Sequence, residues 1–206
     1  MTVTDPREDG RTARSRRTRT AVVDALLALQ EEGNLAPTAQ QVAARAGVAL
    51  RTVFGHFSDM ETLWAEAGQR ELAALVELAD DIPADLPLAE RLERFAASRA
   101  RVLEKLLPVM RAVRLREPSS PALAANRVLF IAAGDDEVRR VFAAELHGRD
   151  EDRARRLLDA VFVVAGGPTW EVLRHDRGLD ADAALAHVRR SLTALLDPRS
   201  YLEDPL

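Results

Sequence analysis

The sequence predicts an all-α protein of two domains, a small three-helix N-terminal domain and a larger C-terminal helical one, with about nine to ten helices in all. Three observations carry this. Apolar residues recur at three- and four-residue spacing along nearly the whole chain, and nowhere do apolar and polar residues alternate long enough for a strand. A length of 206 residues, 47% of them hydrophobic, suits one large core with a smaller domain attached. The segment 38–57 falls into two short helical patterns around a single glycine, the form of a helix-turn-helix.

Residues 1–15 read as a disordered basic arm, since Arg11, Arg14, Arg16, Arg17 and Arg19 follow one another with no acid between them. Val22, Ala25, Leu26 and Leu29 then give a first helix its apolar face. Thr38 with Gln41 forms a capping box, so a second helix starts near Ala39, with Val42, Ala43 and Ala46 on one face. Gly47 ends it, as the residue best able to take a left-handed backbone. Val48 anchors the turn. In the third helix Leu50, Val53, Phe54 and Phe57 are expected on the apolar side, leaving Ala49, Arg51, Thr52, Gly55 and His56 on a polar, basic face. The domain is expected to span 16–60.

Ser58 with Glu61 reads as a second capping box, opening a fourth helix through Leu63, Trp64, Ala67, Leu75 and Val76 to about Asp81, before the proline-bounded stretch 82–87. The fifth helix carries the stripe Leu88, Leu92, Phe95, Arg99, Val102, Leu106 and Met110, interrupted by one charge at Arg99 that needs an acid or an anionic ligand as partner. Pro108 is expected to break or kink it, and residues 117–121 form a loop. Two short helices, 122–133 and 135–147, are expected to join at Gly134. Acids at 135–137 suit a helix start better than a metal site.

Residues 150–196 read as a helical hairpin turning at 177–180, with Gly166-Gly167-Pro168 breaking its first arm. Leu157, Leu158, Val161 and Phe162 on one arm and Leu185, Val188, Leu192 and Leu195 on the other can bury one side in their own subunit and the other against a twin, as a four-helix bundle. The larger domain is thus expected over 61–196, with 197–206 as a C-terminal tail.

The net charge of −4 divides unevenly: residues 1–57 hold 8 Arg against 6 acids (+2), and the rest 21 basic against 27 acidic residues (−6). Positive charge gathers at the helix-turn-helix, where phosphates would lie. A recognition helix reads base edges near its N-terminus, which makes Arg51 and Thr52 the best-placed readers, with phosphate as the alternative partner of Thr52. His56 suits a phosphate or the helix's own final carbonyls.

From about Arg19 to Leu63, through the runs D-A-L-L-A-L-Q-E-E-G-N, P-T-A-Q-Q-V-A-A-R-A-G-V and V-F-G-H-F, the chain resembles the tetracycline-repressor-like (TetR) regulators. The resemblance implies a homodimeric repressor on a palindromic operator in double-stranded DNA, released by a small-molecule effector. It assigns Thr38 to phosphate, Arg51 and Thr52 to bases, and Phe54 and His56 to the DNA backbone. Ala49 stands where a capping serine is usual, Met60 where a lysine commonly meets phosphate, and Phe54 lacks a tyrosine's hydroxyl. Phosphate contacts inside the domain therefore look sparse, and Arg14, Arg16, Arg17 and Arg19 are expected to carry more of the electrostatic attraction. Phe95, Arg99, Leu103, Leu106, Met110, Phe130, Phe142, Phe162 and Trp170 are the candidate effector-pocket residues.

Other classes find little support. There is no cysteine, no N-terminal apolar segment like a signal peptide, and no apolar run near the roughly 20 residues a bilayer requires, so a cytoplasmic, non-membrane protein is expected. No nucleophile elbow or His-Glu-x-x-His motif occurs, and His56, His147, His175 and His187 are scattered, so neither an enzyme, a metal site nor a cofactor is expected. The competing reading within the fold is a DNA binder with little sequence preference.

Overall fold

The first helix, α1, is described from Pro6 to Glu31. The computed structural model describes residues 6–147 and 150–197. α1 corrects the expectation of a disordered arm: the described part of that stretch is helical. Arginine is a good helix former, and the segment runs without interruption into the buried face Val22, Val23, Leu26, so packing there extends the helix backward. Residues 1–5 of the expected arm lie outside the described residues.

α2 (Ala39–Arg45), α3 (Leu50–His56) and α4 (Met60–Leu78) follow. The N-terminus of α4 departs from expectation. Asp59, not Ser58, caps it: Asp59 Oδ1 accepts from the Thr62 N–H at 2.8 Å and from the Thr62 hydroxyl at 2.9 Å. These bonds, the backbone one first, hold the Asp59 carboxyl below its ordinary value. Glu61 is thereby free to accept from the Ser120 hydroxyl at 2.7 Å. The helix ends at Leu78, short of Asp81, and the proline-bounded connection follows.

α5 (Leu88–Arg116) runs unbroken through Pro108, against the expected break. Buried residues on both sides of the proline, Leu106, Leu107, Val109 and Ala112, offset the one missing backbone hydrogen bond. A 3₁₀ turn at Glu117–Ser119 leads to α6 (Pro121–Val141), which likewise passes through Gly134 without a join. A glycine inside a helix costs only about 1 kcal/mol relative to alanine, less than burial of Val138 and Val141 beyond it returns. Asp135 and Asp136 are therefore mid-helix residues.

α7 (Ala143–Leu146) is a single turn, and α8 (Glu151–Val164) starts at the Asp150 cap. Gly166 breaks the chain before α9 (Gly167–Glu171), as the Gly-Gly-Pro run predicts, and a π-helical turn, Val172–Asp176, leads to α10 (Ala181–Leu196), capped by Asp180. The tail beyond Asp197 lies outside the described residues. Among the described residues all regular structure is helical.

The chain divides into two compact units that differ from the expected cut at residue 60. The first takes the residues up to Leu72 together with Pro108–Asn126; the second takes Ala73–Leu107 and the described residues from Arg127 onward. The first unit thus includes the end of α5 and the start of α6, whose Leu123 joins the core of Val22, Val23, Leu26, Val42, Val53, Phe57, Leu63 and Trp64. In the second unit Phe95 and Phe142 meet edge to face, ring centres 5.2 Å apart, and α8 packs on α10.

Candidate nucleic-acid interface

The turn between α2 and α3 is built as its residues require. Thr38 Oγ1 accepts from the Gln41 N–H at 3.3 Å while Gln41 Oε1 accepts from the Thr38 N–H at 2.8 Å, the reciprocal capping box. Gly47 adopts φ +66°, and the Val48 N–H closes back on the Ala43 carbonyl at 3.0 Å. Val42, Ala43, Val53 and Phe57 are buried.

The expected split of the α3 faces holds only in part. Leu50 and Phe54, expected in the core, are exposed, Phe54 by 46%, because a seven-residue helix lying on α1 and α2 can bury only one narrow stripe. Exposed Arg51 and half-buried Thr52 stand beside them near the N-terminus of α3. Thr38 is also exposed. Ala49 caps α3 with backbone alone and makes no side-chain bond. Met60 opens α4, half-buried against the core.

Of the arginines assigned to phosphates, Arg14, Arg16 and Arg17 are exposed on α1, where the Thr18 hydroxyl donates to the Arg14 carbonyl at 3.1 Å. Arg19 is different, since it has partners within the domain. Its Nε donates to Glu66 at 2.8 Å and 3.0 Å, Nη2 also reaches the Glu66 carboxylate, Nη1 donates to the His56 carbonyl, and the guanidinium stacks 4.2 Å from the Phe57 ring centre. All three nitrogens of the guanidinium are thus engaged within the fold. Sequence reasoning missed Glu66; its spacing from Arg19 carries no local signal.

In the second unit, Arg99 of the interrupted stripe has an acid as partner: Nη1 lies 3.5 Å from Glu137 Oε2, and Nε donates to the Ala165 carbonyl at 3.3 Å. Burial pushes the Arg99 guanidinium down and the Glu137 carboxyl up, each disfavouring charge, and Glu137 Oε1 is buried with no hydrogen-bond partner. Arg91, two turns earlier on α5, is far better bonded, to Glu145 twice at 2.7 Å and to the Val141 and Leu86 carbonyls. Trp170 and Arg174 share Glu104, at 2.7 Å and 2.6 Å, and the Arg174 bond, before that of Trp170, holds the Glu104 carboxyl below its usual value.

Of the candidate pocket residues, Phe95, Leu103, Leu106, Phe142 and Trp170 are buried, Phe130 and Phe162 half-buried, and Met110 belongs to the first unit. The hairpin residues Leu157, Leu158, Val161, Val188 and Leu192 are buried within a single chain, and only Leu185 and Leu195 keep partial exposure. The first five thus form the side of the hairpin that is buried in its own subunit. Among the described residues no cluster could hold a metal ion, and no helix is long and apolar enough to cross a membrane.

No family model and no curated protein sequence matches the chain. Solved structures do match. A transcriptional regulator from Rhodococcus sp. Rha1 is similar with a TM-score of 0.67 and 19% identity, over 88% of this chain and 95% of its own. A regulator of Mesorhizobium loti assigned to the TetR family gives 0.67 and 19%, over 89% and 96%.

The chain has the TetR-like fold.

The flavonoid-responsive regulator FrrA has it too, with a TM-score of 0.61 and 22% identity over 87% of this chain and 95% of FrrA. The departures at Ala49, Phe54 and Met60 sit on or beside α3.

Proposed function

We propose that this protein is a DNA-binding transcriptional regulator. It acts as a homodimer that represses from a palindromic operator and is released by a small-molecule effector. The observation that carries the reading is α3 itself: of its seven residues only Val53 is buried, so Arg51, Thr52 and their neighbours are presented outward behind a correctly capped α2. Arg51 reads a base, Thr52 a base or phosphate, and Thr38, Phe54 and His56 line the backbone, with Arg14, Arg16 and Arg17 adding attraction from α1.

The homodimer supplies the fixed spacing that a palindrome needs. The effector binds among the helices of the second unit. Support for a small-molecule effector comes from likeness to FrrA, a regulator named for its response to a flavonoid.

The experiment is selection of binding sites for the purified chain from a random duplex pool at near-physiological salt. Enrichment of a palindrome supports the reading. Strongly salt-dependent binding without enrichment favours a sequence-indifferent binder, a reading to which the uncapped Ala49 gives some weight.

A further inference from the structure

We propose that Arg19 is a positioning residue for DNA reading, which pins the carboxyl end of α3 to α4. This rests on the reading of α3 as the recognition helix.

The need for a pin follows from α3 itself. Seven residues fall below the ~12–15 at which an isolated helix holds together in water. At its N-terminus Ala49 offers no side-chain cap. At the other end Phe57 is extended, with φ −130° and ψ 123°, so no left-handed residue closes the helix; a single backbone bond, Phe57 N–H to the Val53 carbonyl at 2.9 Å, finishes it. The His56 carbonyl is one of the end groups with no partner inside the helix.

Arg19 supplies that partner from 37 residues away in sequence. One face of its guanidinium lies on the Phe57 ring, and its edge donates both to the His56 carbonyl and, in a fork, to Glu66 on α4. Three helices, α1, α3 and α4, therefore meet on one planar group. Lysine keeps the charge but not the fork, since a single ammonium cannot span a carboxylate and a carbonyl while stacking on a ring. Arg19 and Glu66 are each about one-third exposed, with side-chain exposures of 37% and 34%, so the ion pair by itself contributes little to global stability. An effect on α3 is therefore separable from unfolding.

The test compares the full chain with Arg19→Lys and Arg19→Met by thermal melting, by amide hydrogen exchange over residues 53–57, and by the ratio of affinities for the selected palindrome and a shuffled duplex. Arg19→Lys is expected to melt close to the parent, while exchange over 55–57 quickens and the affinity ratio falls by about tenfold each, the size of one charge-assisted bond. Parental exchange and ratio in Arg19→Lys overturn the proposal. So does a fall in ratio that follows the fall in melting temperature across the Lys and Met variants. If the parent enriches no sequence at all, the regulator reading fails, and the exchange measurement alone still decides whether Arg19 holds α3.

Discussion

Gly68 faces Asn126 so closely that a Cβ at position 68 would lie 2.0 Å from the Asn126 amide nitrogen. That amide donates to the Trp64 and Ala65 carbonyls, at 3.4 Å and 3.3 Å, so α6 reads the backbone of α4 directly where the glycine lets it approach. Gly68→Ala is expected to lose about 1–3 kcal/mol of stability through overpacking, against the gain in helix propensity. Adding Asn126→Ala relieves the clash and recovers part of the loss. Urea melts of the two variants check both statements.

Ala49 holds the N-cap position with a β-region backbone, φ −70° and ψ 147°, ready for a hydroxyl acceptor. Ala49→Ser should stabilise the protein by about 1 kcal/mol, read as a shift in the urea midpoint with unchanged slope.

Arg51→Ala should cost roughly 1–3 kcal/mol of operator binding and relax preference at one base position. Neutralising Arg14, Arg16 or Arg17 should instead weaken all duplexes alike and lower the salt slope by about 1 for each phosphate left without its arginine. Binding isotherms at several salt concentrations, on the operator and its single-base variants, separate the two patterns.

Glu104 and Glu137 are expected to respond to acid in opposite senses. Glu104 is held below its ordinary 4.5 by Arg174, so its share of stability is complete above pH 4.5 and is lost as pH falls through the folded value. Glu137 is raised above 4.5 by burial, so its share is complete below 4.5 and is lost as pH rises through the folded value. Urea melts across acid pH should show Glu104→Gln with a shallower acid limb than the parent, and Glu137→Gln with a steeper one.

Val163 on α8 is 63% exposed within one chain, whereas Leu157 and Val161 on the same helix are buried. If the hairpin pairs with a twin, Val163→Glu should shift sedimentation toward monomer with little change in helicity, while Leu157→Ala should lose about 2–5 kcal/mol of stability in either state.

The parts of the fold that local chemistry specifies are legible in the sequence. Thr38 and Gln41 announce α2, Gly47 its end, and Gly166-Gly167-Pro168 the break after α8, because caps and turns depend on residues a few positions apart. Pro108 and Gly134 mislead, since their local cost is small beside burial supplied by distant residues. Ser58 misleads because Asp59, a better acceptor one residue on, takes the cap. In the site, the outward set on α3 is readable from motif and spacing, whereas the exposure of Leu50 and Phe54 and the internal role of Arg19 are not. Each depends on a partner at long sequence range: the narrow stripe set by α1 and α2 in the first case, and Glu66 in the second.

Because Val53 is the lone buried residue of α3, the outward vocabulary of that helix is nearly detached from the grammar of the fold. Leu50, Arg51 and Phe54 are all exposed, so single exchanges there leave the buried core untouched. With α3 reading DNA as proposed, a duplicated copy of this chain is free to drift toward a new target sequence by single substitutions, each close to neutral for folding, and an engineer can walk the same route.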